Sequence, residues 1–176
     1  MMTNLVGNGS SNRFYDKGNN DYTIVCNVPQ HGIKHQGMSI IDGEVLVWMK
    51  KHNYHPTVPV YCTSTIKSIA QGKNIGGDWH PVYERKNRYN AGLHAAEYLT
   101  RFSETIHLWG FDSLWSTDIT SQMDNLIERV RKRPLQDWWR PQWDTMFNSY
   151  DCEFVIHLPT GESCEYQQTN VREQHH

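Results

Sequence analysis

The sequence predicts one α/β domain of three layers, a mostly parallel sheet between two layers of helices. Three observations lead there. Short apolar segments alternate with longer ones, several of which carry apolar residues at helical spacing. Four of the short segments are continuous or nearly continuous apolar runs: Ile24-Val25-Cys26, Val45-Leu46-Val47-Trp48-Met49, Ile106-His107-Leu108-Trp109 and Phe154-Val155-Ile156. Strands covered by helices on both faces read this way. Finally, no repeat, low-complexity block or Pro/Gly linker divides the 176 residues, which suit one domain. Together these give a Rossmann-like fold with right-handed crossovers over residues 1–166, followed by a polar tail, 167–176, expected to fray.

Each element has its own signal. Strands are predicted at 4–6, 23–26, 45–49, 58–62, 105–109 and 153–158. Thr63 is an N-cap for a helix over 64–70. Asn90 caps a second helix over 91–102, with Leu93, Ala96 and Leu99 on one face. Ile119, Met123, Leu126, Ile127 and Val130 form the apolar stripe of a third over 119–132. A fourth, over 138–150, packs Trp139, Trp143, Met146 and Phe147 before the last strand. The segments 29–43 and 72–90 are polar and rich in Gly, His and Asn, as loops at strand ends are, where sites are built.

Composition excludes several functions. Lys+Arg at 17 against Asp+Glu at 19 gives a net charge of −2, which argues against a polycationic nucleic-acid binder. The cluster Arg129-Val130-Arg131-Lys132-Arg133 reads as the solvated, dipole-compensating end of a helix. No apolar run is long enough for a membrane span, and the first residues lack the pattern of a signal peptide. Cys26, Cys62, Cys152 and Cys164 follow no pairing pattern and are expected as free thiols in a reducing, cytoplasmic compartment.

The chemistry-bearing motifs lie at predicted strand ends. The first strand runs into Gly7-Asn8-Gly9-Ser10-Ser11, where glycines allow a tight turn and bring backbone N–H groups close to an anion. Asn12 stands where a dinucleotide fingerprint needs its third glycine, and no Gly-Lys-Ser/Thr is present for a P-loop. The second strand ends in Cys26-Asn27-Val28-Pro29, whose Asn27 amide can face a ligand or satisfy its own turn. Gly92 and the Ala95-Ala96 pair keep the helix after Asn90 slim, and the strand at 105–109 runs into Gly110-Phe111-Asp112. These segments are expected to converge on one crevice. A strand-to-helix turn with no ligand is the plainer reading of the first loop.

In order and spacing, Val6-Gly7-Asn8-Gly9-Ser10, Cys26-Asn27, Asn90-Ala91-Gly92 and Leu108-Trp109-Gly110-Phe111-Asp112 resemble the sialyltransferase-like family, the bacterial glycosyltransferases of family 42 and their small phage-borne relatives of unassigned role. The resemblance covers roughly residues 3–115 as short motifs. It implies a CMP-linked nucleotide sugar as donor substrate and no further cofactor. It also implies nucleotide contacts from Gly7, Asn8, Gly9, Ser10, Asn27, Asn90, Gly92, Gly110 and Asp112. Ser10 stands where the family carries Pro, and Ala91 where it carries Ser. The family's lid has tyrosines and a histidine base, whereas no His or Tyr occurs here between Asp112 and Tyr150.

The leading expectation is therefore transfer of a sugar to a glycan or other hydroxyl acceptor. The rival is a non-catalytic accessory or structural phage protein, virion-associated or homo-oligomeric, on the same fold. A hydrolase using loop histidines ranks third. Candidates for a base are His31, His35, His80 and His157, since neutral imidazole can take a hydroxyl proton. For the first three the plainer reading is an exposed loop histidine, whereas His157, near a strand end, is read as facing the crevice. His107, mid-strand, reads as a core residue. The pairs His31/His35 and His52/His55 lie in Gly- and Pro-bearing stretches that are not helical, so no metal site is expected. Trp138, Trp139 and Trp143 read as core or interface.

Overall fold

The computed structural model describes residues 1–29, 32–117, 121–130 and 135–176. His31, both ends of the helix expected over 119–132, and residues 131–133 of the basic cluster lie outside the described residues. Eight parallel strands form one sheet in the order β5-β4-β3-β2-β1-β6-β7-β8. They are β1 (Met2–Val6), β2 (Tyr22–Cys26), β3 (Gly37–Ser39), β4 (Val60–Thr63), β5 (Trp79–Tyr83), β6 (Thr105–Trp109), β7 (Glu153–Leu158) and β8 (Val171–His175). The helices are α1 (Gly43–Lys51), α2 (Ser64–Gly72), α3 (Ala91–Leu99), α4 (Gln122–Leu126) and α5 (Leu135–Ser149). The three-layer α/β arrangement is the one the sequence predicts.

The apolar runs separate into two cores because side chains alternate across the sheet. Leu5, Ile24, Ile106, Leu108, Phe154 and Ile156 pack with Leu93, Ala96 and Leu99 of α3 and Trp143 and Phe147 of α5. Val6, Val25, Met38 and Val60 pack on the opposite face with Val45, Leu46 and Met49 of α1 and Ile66 and Ala70 of α2. Thr63 and Asn90 cap α2 and α3 as expected, accepting from the backbone N–H groups of Ile66 and Leu93. All four cysteines are unpaired.

Four expectations are corrected. The run Val45–Met49 is helical, not a strand: Asp42 caps α1 by accepting from Glu44 N, and Val45, Leu46 and Met49 are buried while Val47 is 53% exposed. A short apolar run fits either state, and here the i, i+1, i+4 burial decides for helix. β3 and β5 lie in segments expected as loops. β3 has only three residues, and β5 contains Pro81, tolerated because β5 is an edge strand without a second partner. The expected helix over 119–132 is only the short α4 among its described residues. The tail does not fray. Residues Val171–His175 form β8, in register with Phe154–Leu158. Its polar composition reflects a solvent-facing edge.

The chain moves outward from β1 through β2, β3, β4 and β5, then returns to place β6 on the other side of β1. That reversal puts a topological switch point between β1 and β6, where the following loops part and leave a crevice at the carboxyl edge.

Candidate functional site

A cavity of about 350 Å³ opens at this switch point, lined by the loops after β1, β2 and β6 and by the starts of α1 and α3. Gly7, Asn8, Gly9, Asn27, Asn90, Gly92, Gly110 and Asp112 all line it, so the sequence motifs converge as expected. Ser10 is not among the lining residues; its hydroxyl donates to Asp112 Oδ2 at 2.9 Å.

Close backbone contacts build the floor. Gly7 N donates to Trp109 O at 2.7 Å and Gly9 N to Gly110 O at 2.9 Å, which laces the first loop onto the end of β6. Gly110 has φ +73°, and a Cβ there would lie 2.7 Å from the Cβ of Asn12. Only glycine fits that backbone and that approach. Asn12 completes the turn, donating from Nδ2 to Gly7 O at 3.0 Å.

The polar side chains divide by commitment. Asn8 Nδ2 donates to Cys26 O at 3.1 Å, tying the loop to β2. Asn90 Oδ1 accepts from Leu93 N at 2.9 Å, and its amide nitrogen is left to meet a ligand. Asn27 adopts a left-handed backbone at φ 59°, and its Oδ1 is buried without a hydrogen-bond partner. Such an orphaned acceptor costs about 1–3 kcal/mol, which a ligand donor would offset. Asp112 has the opposite character: buried, it accepts from Ser10 Oγ, Ser11 N and Ser11 Oγ. It clamps the loop, a role the sequence did not disclose. Beside the cavity, burial pushes the Cys26 thiol up to about 12, so it stays protonated.

Asp42, Arg129 and Trp139 are among the lining residues that sequence reasoning missed. Arg129 pairs with Asp42 and with Glu44 at 2.5 Å, and lies 3.7 Å from Asp124. It pins the segment bearing α4 to the start of α1, instead of standing free in a solvated basic cluster. Ser121 bridges Gly9 and Gln122 N donates to Asn8 O at 3.0 Å, so the same segment also closes on the first loop. A pairing between residues this far apart in sequence leaves no local pattern. Trp139, expected in core or interface, lines the cavity.

The histidine candidates lie elsewhere. His35 Nδ1 contacts its neighbouring Ile33 O at 2.9 Å, and His80 on edge strand β5 pairs with Asp78 at 2.8 Å. Neither lines the cavity. His157, expected to face the crevice, is buried in β7 and stacks on Trp109 with ring centroids 3.3 Å apart. Its position follows from register, since Trp109 and His157 are direct partners on one face. His107 shares that row, hydrogen-bonded as expected. Among the described residues, no group of three or more His, Cys, Asp or Glu is placed to hold a metal ion, and no helix is long and apolar enough to cross a membrane.

Comparison with protein-family models, curated proteins and solved structures finds no match.

Proposed function

We propose that the cavity binds a nucleotide sugar, CMP-linked as the sialyltransferase-like resemblance implies, and that the chain transfers the sugar to an acceptor hydroxyl. The observation that carries this reading is the convergence of the Gly7–Gly9 loop, the unpartnered Asn27 Oδ1 and the start of α3 on one cavity at the switch point. Neutral amide side chains suit ribose and base edges, and the start of α3 suits an anion. The aromatic rings of Tyr89 and Trp139 add apolar lining for a planar base or a sugar face.

Transfer also needs a group to take the acceptor's proton. No described lining residue is a histidine, and the lining carboxylates, Asp42 and Asp112, are engaged by Arg129 and by Ser10 and Ser11. That engagement favours a second reading, a ligand-binding protein that keeps the crevice without the reaction. A thermal-shift panel of CMP, UDP, GDP and their sugar conjugates tests the shared premise. CMP compounds should raise stability by about 2.7 kcal/mol at a hundredfold excess over Kd. No shift with any of them contradicts both readings. If CMP binds, release of CMP from its sugar conjugate in the presence of acceptors supports transfer, and its absence supports the binding protein.

A further inference from the structure

His107, His157 and His176 form an unbroken row of imidazoles across β6, β7 and the end of β8. His107 Nδ1 lies 2.8 Å from His157 Nε2, and His157 Nδ1 lies 2.8 Å from His176 Nε2. None of the three lines the cavity. His157 is 1% exposed and sandwiched with Trp109, while His176 stacks on Phe14 of the 3-10 turn Ser10–Phe14, centroids 5.3 Å apart. We propose that this row is an acid-released latch that holds the C-terminal strand β8 on the sheet.

The reasoning is a count of protons. Each N···N contact holds one hydrogen, and a neutral imidazole supplies one donor and one acceptor. Three neutral rings therefore make a complete directional row. One added proton can still be shared along it. A second forces two cationic rings together or sets N–H against N–H, and both oppose docking. Once β8 leaves, His157 loses its His176 partner, Arg172 and the cover of β8, and moves back toward the ordinary value near 6.5.

The surroundings set the sign. Burial, then the two neighbouring imidazoles and Arg172, lower His157 to about 3. Burial and Arg172 lower His107, opposed by Glu153 and Asp21. From β8, Arg172 also pairs with Glu153 at 3.4 Å, and Glu173 lies 3.6 Å from His175. From the 3-10 turn, Arg13 lies over the Phe14 ring, adding positive charge on that side. The docked state thus binds fewer protons than the released one. Docking is fully favoured above pH 6.5 and weakens as pH falls through the range toward 3.

The test is amide hydrogen exchange of the full chain at pH 7.5 and 5.5, corrected for intrinsic rates, with 105–109 of β6 as internal reference. Protection of residues 171–175 should fall about tenfold for each histidine that titrates on release, and should stay below that of β6 at both pH values. Unchanged protection of 171–175 between the two pH values overturns the latch, as does protection of 171–175 equal to that of 105–109 at pH 5.5, which signals global unfolding. His157→Gln retains a donor and an acceptor but does not titrate, so it should flatten the pH response; an unchanged response overturns the proposal. Should that variant not fold, the His157 ring resonances of the native chain decide. A ring that titrates near pH 6.5 with β8 still protected contradicts the latch, and one that stays neutral to pH 5.5 while β8 is docked supports it.

Discussion

Asn27 and Asp112 show how similar placement at strand ends leads to different roles. Both line the cavity, but Asn27 has an unpartnered buried oxygen, whereas Asp112 spends its oxygens on Ser10 and Ser11. Two predictions follow from that contrast. Asn27→Gly suits the left-handed backbone at φ 59°, so it should fold normally while losing nucleotide affinity. Asn27→Ala should lose the same affinity and be about 1 kcal/mol less stable than Asn27→Gly. Calorimetric titration with CMP beside a melting curve separates these effects, and full affinity in Asn27→Gly would remove the side chain from the site. Asp112→Asn should act chiefly on stability, by about 1.5–3 kcal/mol for a charged hydrogen-bond hub. If it instead abolishes binding with stability intact, Asp112 is a ligand contact and not a clamp. The sequence made both residues visible at a strand end. It could not show which was already satisfied, because Asp112's partners lie about a hundred residues away.

At the scale of elements, β1, β2, β4, β6, β7, α2, α3 and α5 were legible because caps, apolar runs and spacing agreed there. α1 was not, since five consecutive apolar residues carry no period. Its facing is now testable. Leu46→Ala should cost about 2–4 kcal/mol and Val47→Lys within about 0.5, by chemical denaturation, since Leu46 is fully buried and Val47 is half-exposed. Comparable costs at both positions would fit a strand buried on both faces instead. The edges β5 and β8 were missed for a shared reason: an edge strand needs less apolar character and tolerates Pro81 or alternating charge. Of the site, the glycine and asparagine motifs were readable locally, whereas Arg129 and Asp42 meet only through tertiary pairing.

Across the whole molecule, stability should depend on pH through a buried histidine remote from the latch. His94 is buried against Tyr83 and Tyr89, and that burial lowers it to about 4, with Glu97 opposing and Lys86 adding to the effect. The folded state therefore favours the neutral ring. Its contribution is complete above pH 6.5 and is lost as pH falls toward 4, about 2 kcal/mol by pH 5. The melting temperature should drop by about 4–8 °C between pH 7.5 and 5 on this account, and less in His94→Gln. An equal drop in that variant would assign the acid sensitivity elsewhere. The central claim, that the switch-point cavity is a nucleotide site, is met most directly by mapping CMP onto the backbone amides by NMR. Saturable shifts centred on Gly7, Gly9, Asn27, Gly92 and Gly110 are the predicted result; no shifts at millimolar CMP, or shifts centred away from these residues, would contradict it.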